Sequence, residues 1–104
     1  MTGNIMTVVE GSVPEERWQD LQEAFKGILQ SPPEGILQSF ITQEKSEPTL
    51  WRLMTLWENM EVLKEMQQSH SVPAGIKIFR DIDVEPAVRI FEVKISLNDS
   101  AGGE

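Results

Sequence analysis

Apolar residues recur along this chain with two different periods, and the switches between them predict the order of its elements. Ile5 to Glu10 (IMTVVE) is rich in β-branched residues and predicts a strand that Gly11 ends. Ser12-Val13-Pro14-Glu15 has the spacing of a capping box, with Pro14 in the first turn of a helix. From there to about Gln30, Trp18, Leu21, Phe25, Ile28 and Leu29 mark one face of a helical period, and Arg17, Asp20, Gln22, Glu23 and Lys26 mark the other. Ser31-Pro32-Pro33-Glu34-Gly35 breaks that helix. Strands are predicted at Ile36 to Glu44 and Thr49 to Trp57, joined by the polar connection Lys45-Ser46-Glu47-Pro48. Glu58-Asn59 opens a second helix with Met60, Leu63 and Met66, or Met60, Leu63 and Gln67, along one side, ending near Ser69. Val72 to Ile82 supports two readings. Ile76, Lys77 and Ile78 alternate as in a strand, whereas Ile76 with Phe79 fits a short helix from Pro73, and the helix is preferred. After the turn Asp83-Val84-Glu85-Pro86, Ala87 to Leu97 predicts the last strand.

The order strand, helix, strand, strand, helix, strand is the α+β ferredoxin-like βαββαβ arrangement, an antiparallel sheet with both helices on one face. Such a sheet should be polar on its other face. Here it is not: Leu50, Met54 and Leu56 share one side of the third strand while Trp51, Leu53 and Trp57 share the opposite side. The first strand is apolar on both sides through Ile5/Val9 and Met6/Val8, and the last sets Phe91, Val93 and Ile95 against Val88 and Ile90. The helices cover one side, and a second copy of the chain is the expected cover for the other. The competing reading is a monomer with scattered exposed apolar residues.

Length and charge narrow the classes. The 104 residues predict one domain over 1–97, with 98–104 a flexible tail that has nothing to bury. Seventeen acidic against nine basic residues give a net charge of −8, which disfavours nucleic acid and anionic membrane as partners. The chain has no cysteine and one histidine, His70, so thiolate chemistry is excluded and a zinc or iron site would need carboxylates and little else. No apolar run is long enough to span a membrane, and Met1-Thr2-Gly3-Asn4 lacks the basic start of a signal peptide, so the cytoplasm is the expected location.

The segment Leu50-Trp51-Arg52-Leu53-Met54-Thr55-Leu56-Trp57-Glu58-Asn59-Met60-Glu61-Val62-Leu63 resembles the antibiotic-biosynthesis monooxygenase family of dimeric α/β barrels, whose members follow a hydrophobic strand ending in Trp-Glu with a helix opening acidic-apolar-Leu. Trp57-Glu58 and Glu61-Val62-Leu63 hold those places, and the resemblance extends over about residues 5 to 97. It implies a homodimer with a pocket in each subunit between sheet and helices. Some relatives oxidise polycyclic aromatics or quinols with molecular oxygen and no flavin or metal; others degrade haem, isomerise small molecules or have no known activity. Many relatives carry His nine positions after the Trp of the third strand and Ser three further on. Met66 stands at that His position here, Ser69 keeps the Ser, and His70 lies four residues past Met66. Haem-degrading relatives use an Asn on the first strand with a Trp and a His on or near the second helix; the first strand here has no Asn within it and the second helix no Trp, so haem degradation is not expected.

Several residues carry two readings each. His70 is the natural proton carrier, or a helix-terminal residue meeting the negative end of the dipole. Trp51 and Trp57 could stack on or orient an aromatic substrate, or pack beneath the helices. Met66 and Phe79, with Met60, could line a pliable apolar pocket or form plain core. Arg52 and Arg89 could hold an anion, or pair with Glu10, Glu44 or Glu92. The leading expectation is a cofactor-independent monooxygenase acting on a hydrophobic aromatic or quinol-type molecule, with His70 as base. The alternatives are a non-catalytic dimer that binds a hydrophobic small molecule, and a structural dimer with a filled interior.

Overall fold

The computed structural model describes residues 3–69 and 73–97. Strands β1 (Ile5–Ser12), β2 (Ile36–Gln43), β3 (Leu50–Trp57) and β4 (Ala87–Glu92) form one antiparallel sheet in the order β2-β3-β1-β4. Helices α1 (Trp18–Gln30), α2 (Met60–Ser69) and α3 (Ala74–Arg80) complete an α+β ferredoxin-like fold. The expected tail at 98–104 and the candidate base His70 lie outside the described residues.

The parity read from β3 holds. Trp51, Leu53, Thr55 and Trp57 are buried under the helices, and the intervening residues are half-buried on the opposite face. In α1 the stripe buries Leu21 and Phe25, while Leu29, at its edge in the last turn, is 48% exposed. The ambiguous segment after Pro73 is a helix, and α3 drives Ile78 and Phe79 into the core.

Two expectations are corrected. The capping box does not form. Ser12 stays in β1 opposite Leu50, the Val13 N–H donates to the Thr49 carbonyl, and a 3-10 turn over Glu15–Arg17 leads into α1 without a side-chain cap. The sheet outcompetes the cap for the chain at this point. The last strand ends at Glu92, well short of Leu97, because its partner β1 begins at Ile5 and only the bond from Val93 N–H to the Asn4 carbonyl lies beyond. Ile95 is therefore 80% exposed instead of paired in the sheet.

Asn59 sets the start of α2 by accepting the Val62 N–H at 2.9 Å, the bond expected of a capping side chain. Asn4 Nδ2 donates to the Glu58 carbonyl at 3.0 Å, and the Glu58 N–H donates to the Gly35 carbonyl at 2.8 Å. Three segments distant in sequence thus converge where α2 leaves the sheet.

On the face away from the helices, Arg52 reaches Glu10 and Glu44, each at 2.8 Å, which settles Arg52 as an ion-pair residue. The hydrogen bond from Arg52, and after it that from Ser46, holds the Glu44 carboxyl below the usual carboxylate range. A depressed folded-state pKa adds stability above the unfolded value and loses it as pH falls through the folded one. Glu44→Gln should therefore be slightly less stable than the parent near neutral pH, with the difference vanishing in acid. Urea unfolding at the two pH values reads this, and the effect is expected to be small because the group is solvated.

Candidate functional site

Register places the helix-facing side chains in rows across the sheet. Val88, Val9, Leu53 and Ile41 make one apolar row, and Ile5, Trp57 and Ile36 make another. Between them lies a row of different character, Ile90, Thr7, Thr55 and Ser39. Ser39 joins it because the irregularity between Ile36 and Gln38 turns both Ile36 and Ser39 to the helix side, which an unbroken strand would not do.

This hydroxyl row divides the core. Val9, Phe25, Trp51, Leu53 and Phe79 belong to a larger buried cluster beneath α1 and α3, whereas Ile5, Trp57 and Leu63 form a smaller one beneath α2. An apolar cleft of about 70 Å³ opens between the two, with Thr7, Ser39 and Thr55 on its floor. Trp57, Leu63 and Met66 wall one side, and Phe25, Ile28 and Gly75 the other. Trp57 Nε1 donates to Thr7 Oγ1 at 3.0 Å, and the Ser39 and Thr55 hydroxyls share a hydrogen bond at 3.0 Å. Among the described residues, no charged side chain lines this cleft.

Of the residues singled out from the sequence, Trp57 and Met66 meet at the cleft. Trp51 and Phe79 lie in the larger cluster, away from the cleft wall. Trp51 packs on Trp18 with ring centroids 6.0 Å apart, and its Nε1 is buried with no hydrogen-bond partner among the described residues. Phe79 is fully buried. The hydroxyl row was not singled out from the sequence. Its signal is a threonine at the centre of two otherwise apolar strand faces, Ile5-Thr7-Val9 and Leu53-Thr55-Trp57.

A wider, open crevice adjoins the cleft through Pro33 and Met66, bordered by Glu34, Glu58 and Glu65. Among the described residues, no group of three or more His, Cys, Asp or Glu side chains is placed to hold a metal ion. Nor is any described helix long and apolar enough to cross a membrane.

The family model for antibiotic biosynthesis monooxygenases matches residues 4–78. The chain belongs to that family. Members and likenesses of known structure share its fold. A candidate antibiotic biosynthesis monooxygenase from Deinococcus radiodurans superposes with a TM-score of 0.73 at 16% identity, covering 90% of this chain and 96% of that one. SnoaB, a cofactor-independent oxygenase from Streptomyces nogalater, gives 0.72 at 9% identity over 91% and 97% of the two chains. A conserved protein from Methanosarcina mazei Go1 gives 0.71 at 20% identity over 89% and 95%. No curated protein matches the sequence significantly. At these identities the likenesses establish the antibiotic biosynthesis monooxygenase fold and leave the chemistry to the site.

Proposed function

We propose that this chain is a cofactor-independent monooxygenase acting on a hydrophobic aromatic or quinol-type molecule, working as a homodimer in the cytoplasm. The observation that carries the reading is the apolar cleft between sheet and helices, walled by Trp57 and Met66 and floored by hydroxyls. Family membership and the fold shared with SnoaB, a cofactor-independent oxygenase, support it.

In such a reaction a carbanion or phenolate of the substrate passes an electron to oxygen, and the resulting pair combines into a carbon–oxygen bond. The peroxide so formed takes up a proton, the carbon gives up its remaining hydrogen as a proton, and the O–O bond breaks, which leaves a carbonyl in the product and releases the other oxygen as water. The protein's part is to exclude water, orient the ring and remove a proton. His70, which follows Ser69 directly in the chain, is the proposed base, because its ordinary pKa lies nearest neutrality. Oxygen uptake with a panel of hydroquinones and anthrones tests the reading. Turnover should fall about a hundredfold or more in His70→Ala. Unchanged turnover in that variant would remove the base, and no uptake with any member of the panel would remove the oxygenase.

One observation favours a second reading, a non-catalytic dimer that binds the same class of molecule. No described residue of the cleft titrates, and Met66 occupies the wall where the family resemblance would put an imidazole. Binding without oxygen uptake is the outcome that selects it.

The dimer rests on the face away from the helices. Phe91, Met6 and Leu56 form one apolar row there, and Val8, Met54 and Phe40 another. Phe40 and Phe91 remain 43% and 48% exposed in the single chain. Two such faces pressed together would cover this surface and leave the cleft on the helical side open to a guest.

A further inference from the structure

The hydroxyl row has more donating capacity than its internal bonds use. Thr7, Thr55 and Ser39 contribute three O–H protons. One lies in the bond between Ser39 and Thr55. The bond between Trp57 and Thr7 uses the indole proton, so the Thr7 hydroxyl accepts there and keeps its own proton. Two O–H donors therefore remain on the floor of a cleft whose other walls are almost wholly apolar. Thr7 and Thr55 are at most 9% exposed, so a guest that offers them no oxygen leaves them deprived of water when it covers the floor.

Charge narrows the guest further. No described cation faces the cleft, the adjoining crevice carries Glu34, Glu58 and Glu65, and the whole chain is at −8. A carboxylate entering here would lose its hydration without finding a counter-charge. Size narrows it again. An enclosed apolar cavity of about 150 Å³ is known to admit a benzene ring. A cleft of about 70 Å³ takes one ring at most, with any further substituents left at its open side.

We infer that the Thr7-Thr55-Ser39 row selects the guest of this cleft, a molecule that seats one neutral ring bearing a phenolic or carbonyl oxygen, by hydrogen-bonding that oxygen. The inference rests on the cleft being the binding site proposed above, and it assigns these three residues a positioning role at that site. It separates neutral phenols and ketones from hydrocarbons of the same shape on one side and from carboxylates on the other.

The test is titration of the isotopically labelled full-length protein with p-cresol, toluene and benzoate, following the Trp57 indole N–H signal. The parent should bind p-cresol about three- to tenfold more tightly than toluene, the range one net hydrogen bond supplies, and benzoate most weakly. Ser39→Ala/Thr55→Val removes both members of the hydroxyl pair together, so no orphaned partner remains to unfold the sheet. In that double variant, where the Thr7 hydroxyl is the one donor left in the row, toluene should bind as in the parent and the preference for p-cresol should shrink to less than half. Thr55→Ser keeps the hydroxyl and should keep the preference. An unchanged preference for p-cresol in the double variant, or a parent that favours toluene or benzoate, overturns the inference and leaves the cleft standing. If none of the three probes moves the Trp57 signal, the cleft as a binding site falls and this inference falls with it.

Discussion

Gly35→Ala should destabilise the protein by about 3 kcal/mol or more, combining left-handed backbone strain with overpacking. Gly35 adopts φ +89°, a region that side chains other than glycine's rarely occupy. A Cβ there would also be driven into Val62 Cγ1 on α2. Neither partner has room to retreat. The Val62 N–H is held by Asn59, and the Gly35 carbonyl is held by the Glu58 N–H. Urea unfolding of Gly35→Ala, Val62→Ala and the double variant forms a cycle that separates the two causes. The double variant should recover the steric part and keep the backbone part. A loss below about 1 kcal/mol in Gly35→Ala alone would mean that the turn and α2 do not approach this closely.

Met54→Lys should convert the proposed dimer to a monomer. Met54 sits between Val8 and Phe40, with Met6 and Leu56 in the next row on one side and the Glu10–Arg52 ion pair on the other. Lysine is readily solvated there in a single chain, since the side is half-open to water. In a sheet-to-sheet interface it would be a buried charge beside Arg52, whose carboxylates are already engaged, a cost of about 2–4 kcal/mol. The dissociation constant should therefore rise by about thirtyfold to a thousandfold. Sedimentation over a concentration series reads the change, with circular dichroism showing the fold retained. A parent protein that sediments as a monomer at high concentration would end the dimer proposal.

Much of this architecture was legible from periodicity. The α1 stripe and the alternation of β3 each follow from burial on one side, and burial is what the pattern records. What pairing alone decides was not legible. Ser12 could cap a helix or extend a strand, and only the presence of Leu50 opposite it selects the strand. Ile95 continues the alternation of β4, yet the described pairing of β4 with β1 starts at Ile5 opposite Glu92. The site suffered most from this. Thr7 and Thr55 read as ordinary strand formers until register sets them side by side, and Ser39 lies an odd number of residues from Ile36, so an unbroken strand would have turned it away. Trp51 and Trp57 share a face and a chemistry. Their distance along the sheet alone sends one to the larger cluster and the other to the cleft.

The division of the core also bears on how a guest gets in. Among the described residues, the cluster under α2 has three buried members, Ile5, Trp57 and Leu63, against nine in its neighbour. Segments with less apolar anchorage open at lower free energy than the molecule as a whole. The amides of the helix carrying Leu63 and Met66 are accordingly expected to exchange faster than those of β1 and β3, with its far end opening about the start that Asn59 holds.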